Sequence, residues 1–287
     1  DLRRKLQPVM TNEVLLITLH IIRGGFNMNA IDWENEFKID CSNCYGYCCC
    51  ALCFFKIDGF PYDKKNQEAC HYLQDDFKCK IHPELKSKGL KGCLSYDCLG
   101  AGQKVASFFK DHQQTKAEQY QAFMKMRALH EMLWYLKQAQ ELSNKCDDRE
   151  KMVRMSDQIY PITLDLDQLK ACDIEDLRNQ VNEYLRKTSE SLRNTKSIVN
   201  KHDFMGKDFK GKRIENQDFR GALLIHANMA HCIIVNCDFI GADFRDLNIQ
   251  GADLSKSHFL TQMQINEANG DQNTILPLHL KKPTHWK

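Results

Sequence analysis

Ten of the fourteen cysteines in this 287-residue chain fall between Cys41 and Cys98. They run Cys41-x2-Cys44-x3-Cys48-Cys49-Cys50-x2-Cys53, then Cys70, Cys79-x2-His82 and Cys93-x4-Cys98. Thiolates and an imidazole placed two to four residues apart suit a soft metal, because one tight turn carries both side chains to the same ion. A single four-ligand site leaves most of these residues unused. Two metal ions fit the count, and so does one iron-sulfur cluster accompanied by structural thiols. Zinc leads, since closed Cys-rich sites mostly hold zinc, and iron or a 4Fe-4S cluster is the alternative. Eight or more thiolates cannot be buried together without a cation, so ligation is expected to be coupled to folding. A disulfide framework belongs to small secreted chains that lack a core, and this chain is 43% hydrophobic with helical and repeat segments beyond the cluster.

The elements that must position these ligands follow from periodicity. From Cys41 to Gly102 neither helical nor strand periodicity is evident, as expected where ligation replaces a conventional core. From Lys104 to about Leu192 the pattern is helical, with no glycine and one proline. Tyr120, Phe123, Met124, Leu129, Met132, Leu133 and Leu136 mark one apolar face, and Ile174, Leu177, Val181, Tyr184, Leu185, Thr188 and Leu192 mark another behind Asp173 as N-cap. Asn194 to Lys201 reads as a polar linker. Beyond it every fifth residue from Phe204 to Phe259 is apolar, through Phe209, Ile214, Phe219, Leu224, Met229, Ile234, Phe239, Phe244, Ile249 and Leu254. Two residues before each stands a second series, largely small: Ala222, Ala227, Cys232, Cys237, Ala242, Leu247, Ala252 and Ser257. Neither a helix nor a strand keeps a five-residue period on one face, so the repeat itself is the structural unit.

The stretches QDFRGALLIHANMAHC and CDFIGADFRDLNIQGADLSKSHF resemble the pentapeptide-repeat family over about 203–259. That resemblance implies a right-handed quadrilateral β-solenoid of about three coils, four pentapeptides to a coil, with both series pointing inward. Lys207, Lys212 and Gln217 depart from the small-residue series, which suggests a frayed or covered first coil. The Cys segment resembles the zinc/iron-chelating cysteine-cluster family, marked by a C-x2-C-x3-C-C opening and later cysteines. Carried over by position, the implied metal ligands are Cys41, Cys44, Cys48, Cys49, Cys70, Cys79, His82, Cys93 and Cys98, with Cys50 and Cys53 as departures. The expected architecture is α+β, a Cys-rich metal-bound helical N-terminal domain followed by a short right-handed quadrilateral β-solenoid. Its divisions are a translated leader (1–27), a metal-binding module (28–103), a helical segment packed on it (104–193), a linker (194–202), the repeat array (203–261) and a C-terminal cap (262–287) carrying Pro277 and Pro283.

The leader reading rests on Arg23-Gly24-Gly25, which a purine-rich bacterial ribosome-binding sequence ahead of Met28 can encode. Val14 to Ile22 is too short to cross a bilayer, and no small-x-small site follows it, so a cytoplasmic protein without membrane contact is expected. Gly100-Ala101-Gly102 reads as a tight turn that orients Cys98 and launches a helix, His130 as a surface or packed histidine, and Cys232 and Cys237 as repeat core. No P-loop, Ser-His-Asp order or paired-carboxylate signature stands out. Two functions fit: an interaction or scaffold module that binds a protein partner through its solenoid, and an iron-dependent redox enzyme or sensor. Some pentapeptide proteins imitate DNA, but residues 201–287 carry 11 Lys and Arg against 10 Asp and Glu, too balanced for a mimic of an acidic duplex.

Overall fold

The computed structural model describes residues 32–110, 115–143, 145–195 and 203–286. The leader reading and its Met28 start lie outside them. The described chain is a helical region followed by repeats that form a three-stranded parallel sheet. Helices α1 (Trp33–Glu36), α2 (Tyr47–Ala51) and α3 (Lys91–Ser95) are short and set among turns. Helices α4 (Ala101–Phe108), α5 (Lys116–Leu142), α6 (Cys146–Ile162), α7 (Leu166–Ala171) and α8 (Ile174–Arg193) then pack on one another. No described helix is long and apolar enough to cross a membrane.

Local chemistry sets the helix ends. Thr115 and Glu118 form a reciprocal capping box at the start of α5, and the Asp173 carboxylate accepts from the N–H groups of Glu175 and Asp176 at the start of α8. Helix α5 is the axis of the helical core. Its Phe123, Met126, Leu129, Leu133 and Leu136 are sealed by Val105 and Phe109, by Met152 and Ile159 of α6, and by Val181 and Leu185 of α8. Met124, placed on the apolar face by periodicity, is instead 43% exposed. Helix α5 is enclosed from several sides, Met126 takes the inward position, and Met124 falls on the remaining solvent strip.

In the repeats, strands β1 (Arg213–Glu215), β2 (Ile233–Asp238) and β3 (Asp253–His258) pair in parallel in chain order. Bridges such as Asp203 to Leu223, Asp208 to Asn228 and Leu223 to Asp243 join residues twenty apart. Four pentapeptides therefore separate stacked backbones. Both inward series are buried from Ile214 to Leu254, Cys232 and Cys237 among them, while Phe204 and Phe209 are only half-buried. Lys207 lies 5.1 and 5.3 Å from the ring centres of Phe204 and Phe209, so its stem and charge cover the first coil.

The corners obey a rule beyond the apolar periodicity. Every fifth residue from Gly206 to Gly251, including Asn216, His226, His231, Asn236 and Asp246, has φ between 52° and 70°. Each stands two residues after a large inward side chain. At most repeats an Asp or Asn stands just before that side chain, and its carbonyl or carboxyl oxygen accepts the N–H two residues on, as Asp218 does from Arg220 at 3.1 Å. Gly251 has a second reason to be glycine, because a Cβ there would sit 2.4 Å from the His231 ring one coil below.

The rule breaks after β3. The next left-handed residue is Phe259 itself, φ 58°, so Phe259 leaves the interior of the repeats and enters the helical core, against Tyr135 at a centroid distance of 6.1 Å. The reading of Phe259 as an inward residue of the repeats is thus corrected, and Leu260 joins the repeat core instead. The ladder continues into the C-terminal segment with one and two extra residues, through Asn248 to Asn269 and Asp253 to Ile275. Helix α9 (Gln262–Glu267) and the buried Trp286 close that end.

Phe259→Ala should destabilise the full chain by about 3–5 kcal/mol in denaturant titration, because it opens a cavity in the helical core. Met124→Ala should stay within about 0.5 kcal/mol.

Candidate metal centre

The segment holding the cysteines is built from turns rather than long elements. A 3-10 turn at Cys41–Asn43, capped by Asp40, leads to Cys44, and the left-handed Gly46 launches α2 with Cys48, Cys49 and Cys50 in its single turn and a half. Cys70 is tied to α2 through its N–H, which donates to the Cys49 carbonyl at 2.9 Å. Leu73 bridges Cys79 across a small antiparallel turn, Cys93 lies on α3, and Cys98 precedes the Gly100 turn. A Cβ at Gly102 would fall 2.7 Å from the Cys44 sulfur and 3.7 Å from that of Cys98. The glycine pair therefore launches α4 while leaving room for two thiols to meet over its first turn.

Cys49 is the hub. Its sulfur lies 4.0 Å from that of Cys48, whose thiol is held well above the usual range by donation to Cys49 and by burial. Cys49 is correspondingly lowered by that hydrogen bond, and the Lys64 ammonium helps to lower it. The other thiols lie about this hub. Cys98 is pushed up to about 11 by burial, opposed by the Gly102 N–H, with Asp97, Cys44 and Cys41 adding to the rise. Cys93 is pushed up to about 12 by burial and by Cys49, Cys70 and Cys79. Cys49 adds to the rise of Cys41 and Cys44 as well as to that of Cys79 and Cys93, so these buried sulfurs act on one another through it.

Backbone N–H groups lower several of these thiols against the rise from burial: those of Tyr47 and Gly46 act on Cys44, those of Ile81 and His82 on Cys79, and that of Gly102 on Cys98. Such N–H to sulfur contacts favour the thiolate, the ligating form, over the thiol that burial favours. Among the described residues, however, no three Cys, His, Asp or Glu side chains stand together at metal-ligating distance. His82 is exposed, and its contribution to the cluster is its backbone N–H. Cys50 is buried beside the Tyr120 hydroxyl, and Cys53 is exposed. A cavity of about 820 Å³ opens beside Cys44, lined also by Asp40, Lys38, Tyr45, Phe77 and Gln103.

Two neighbours fix the cluster to the rest of the molecule. His130 of α5 is fully buried, and its Nδ1 lies 2.6 Å from the carbonyl of Leu99, the residue after Cys98. Burial pushes this histidine down to about 4, so the ring is neutral and Nδ1 carries the donated proton. On the other side Asp58 pairs with Arg245, Lys91 pairs with Asp246, and the Asn266 side chain donates to the Ser95 carbonyl at 3.2 Å. These contacts dock the cysteine turns on the repeat array. Helix α5 docks on it as well, with Trp134 and Gln138 both donating to the Leu260 carbonyl at 3.1 and 3.2 Å. Sequence reasoning missed this second docking. Its signal was the interruption of the corner rule at Phe259.

The family model for pentapeptide repeats matches residues 218–259 in eight copies. The chain is also 38% identical over 266 residues to a Bacillus subtilis (strain 168) protein described as "Uncharacterized protein YybG", an alignment covering 88% of this chain and 95% of that protein. This chain belongs to the same family as that relative. No solved structure matches it.

The neutral His130 gives a pH signature. Its folded value near 4 lies below the usual 6.5, so the unfolded chain binds more protons between those limits and stability falls as pH drops through that window. His130→Asn keeps a donor for the Leu99 carbonyl without the titration. Comparing denaturation at pH 7 and pH 5, the loss on acidification should be about 2 kcal/mol smaller in the variant than in the parent.

Proposed function

We propose that this chain is a metal-bound scaffold protein. The segment from Cys41 to Cys98 holds two zinc ions in all-thiolate sites, one on Cys41, Cys44, Cys48 and Cys98, the other on Cys49, Cys70, Cys79 and Cys93. The observation that carries this reading is the density of thiols around Cys49, whose sulfur lies 4.0 Å from that of Cys48, with Gly102 leaving room for the Cys44 and Cys98 sulfurs over one helix turn. The resemblance of the C-x2-C-x3-C-C opening to chelating cysteine clusters supports it. Once loaded, each ion would neutralise thiolates that otherwise repel one another, and would draw the sulfurs to about 2.3 Å from the metal.

In this reading the metal ions are clips. They fix the turns that carry Asp58, Lys91 and Ser95 against the repeats, and the repeats present their uncovered sides to a protein partner. The array itself closes as a right-handed four-sided coil, supported by the twenty-residue register and the left-handed corner every fifth residue. Reduced thiols at this density suit a reducing compartment such as the cytoplasm.

A second reading, an iron or iron-sulfur centre with redox chemistry, is favoured by one feature. The cavity that reaches Cys44, beside the exposed Cys41, gives small molecules access to the first sulfur set.

Metal analysis of protein purified without oxygen separates the two. Two zinc ions per chain and no visible absorption are expected, and iron with a broad band near about 400 nm would select the second reading. Cys44→Ser and Cys93→Ser should each retain one of the two ions, whereas Cys53→Ser should retain both. Retention of both ions by Cys44→Ser would remove that residue from the ligand set.

A further inference from the structure

Exposed apolar side chains that stand singly are ordinary, but several here gather on one side of the molecule. On the repeats, Met205 is 55% exposed, Leu223 is exposed and Ile225 is half-buried. The hydrogen-bond ladder fixes their order. The Gly206 N–H donates to the Ile225 carbonyl at 2.9 Å and the His226 N–H to the Arg245 carbonyl at 3.0 Å, so Met205, Ile225 and Arg245 stand one above another on successive layers. Leu223 lies in the neighbouring column, between Asp203 and Asp243. Arg245, at the top of its column, receives Asp58 from the cysteine segment. Asp58 ends the 3-10 turn Lys56–Asp58, whose Ile57 is 92% exposed. Phe55, also exposed, belongs to the same turn, because its carbonyl accepts the Asp58 N–H at 3.0 Å. An apolar strip therefore runs from Phe55 and Ile57, past Arg245, over Ile225 and Leu223, to Met205.

The two ends of this strip carry opposite charges. Lys56 adjoins Ile57 at one end, where Arg245 already engages the Asp58 and Asp243 carboxylates. Asp203 stands two residues before Met205 at the other end. Lys56 and Asp203 are both exposed. Among the described residues the Lys56 ammonium has no ion-pair partner, and the Asp203 carboxylate accepts only the Met205 N–H, at 3.1 Å. A surface with a free cation at one end, a free anion at the other and an apolar middle is complementary to itself. Rotated by a two-fold axis, each end meets its opposite and the middle meets its own copy.

We propose that this strip binds a second copy of the chain about a two-fold axis at Ile225 and Leu223, with Ile57 of each copy on Met205 of the other and Lys56 of each paired with Asp203 of the other. Exposed ion pairs contribute little by themselves, so the charges set the register and the apolar contacts supply the association. The strip is narrow, and the dimer is accordingly a weak one. It involves no sulfur and does not depend on the metal reading above. It also leaves the outer face of the three-stranded sheet, with the exposed Ile233 and Ile275, uncovered for another protein.

Sedimentation velocity on the full chain, from about 1 to 300 μM, reads the oligomeric state directly. Monomer is expected at the low end and dimer at the high end. Ile57→Asp should weaken association by about 10-fold or more, whereas Leu278→Asp, at an exposed leucine outside the strip, should leave it unchanged. Lys56→Glu should weaken it by about 5–30-fold, because both symmetry-related pairs become like-charged. Adding Asp203→Lys to the same chain should restore the parent value. A parent protein that stays monomeric across the range would overturn the proposal and leave the strip to a different partner. A dimer indifferent to Ile57→Asp, or a Lys56→Glu defect that Asp203→Lys does not rescue, would overturn the two-fold placement. Should the double variant fail to fold, Ile57→Asp decides the matter, since a side chain 92% exposed supports no core.

Discussion

Crowding of thiols around Cys49 is the constraint on which the N-terminal half depends. The segment from Cys41 to Cys98 has helices of five residues or fewer and contributes few fully buried apolar side chains. Burial by itself drives its sulfurs toward the neutral thiol, as the raised values of Cys93 and Cys98 show. Against that drive the chain sets backbone N–H groups at the turns and the buried Lys64 ammonium. Those features favour thiolate over thiol and oppose part of the rise that burial imposes.

The same turns set the relation between the two halves. Asp58 and Lys91 lie on short elements between cysteines, and each reaches across to the repeats, at Arg245 and Asp246. Ion pairs this exposed contribute at most about 1 kcal/mol each, so they orient the halves more than they bind them. The apolar contribution comes from the phase slip at Phe259, which sends an aromatic side chain from the repeats into the helical core beside Tyr135. A regular continuation of the corner rule would have kept Phe259 inside the repeat core. The irregular repeat is therefore the joint.

Much of this fold was legible in the residues. The five-residue alternation placed both inward series, Cys232 and Cys237 included, because stacking on a fixed backbone period leaves a side chain no choice of face. The α8 face and its Asp173 cap followed from helical spacing, and the Gly100 turn from its position after Cys98. The direction of Phe259 was not legible, since it depends on a backbone angle and the residue type still satisfies the period. Met124 was misplaced because periodicity assumes one buried face, whereas α5 is enclosed from several. Lys64 escaped notice for a related reason: composition counts every lysine as surface, and only the Phe54 pairing turns this one inward. Nor does spacing along the chain show that the Cys48 and Cys49 sulfurs turn toward each other, 4.0 Å apart.

The account makes the cysteine segment a pair of all-sulfur clips whose purpose is to hold a repeat surface in place. X-ray absorption at the edge of the native metal tests that claim most directly, because it reads the first coordination shell without disturbing it. The account expects four sulfur neighbours per ion at about 2.3 Å and no nitrogen or oxygen. A shell containing an imidazole nitrogen or an oxygen, or too little metal to measure, would contradict it.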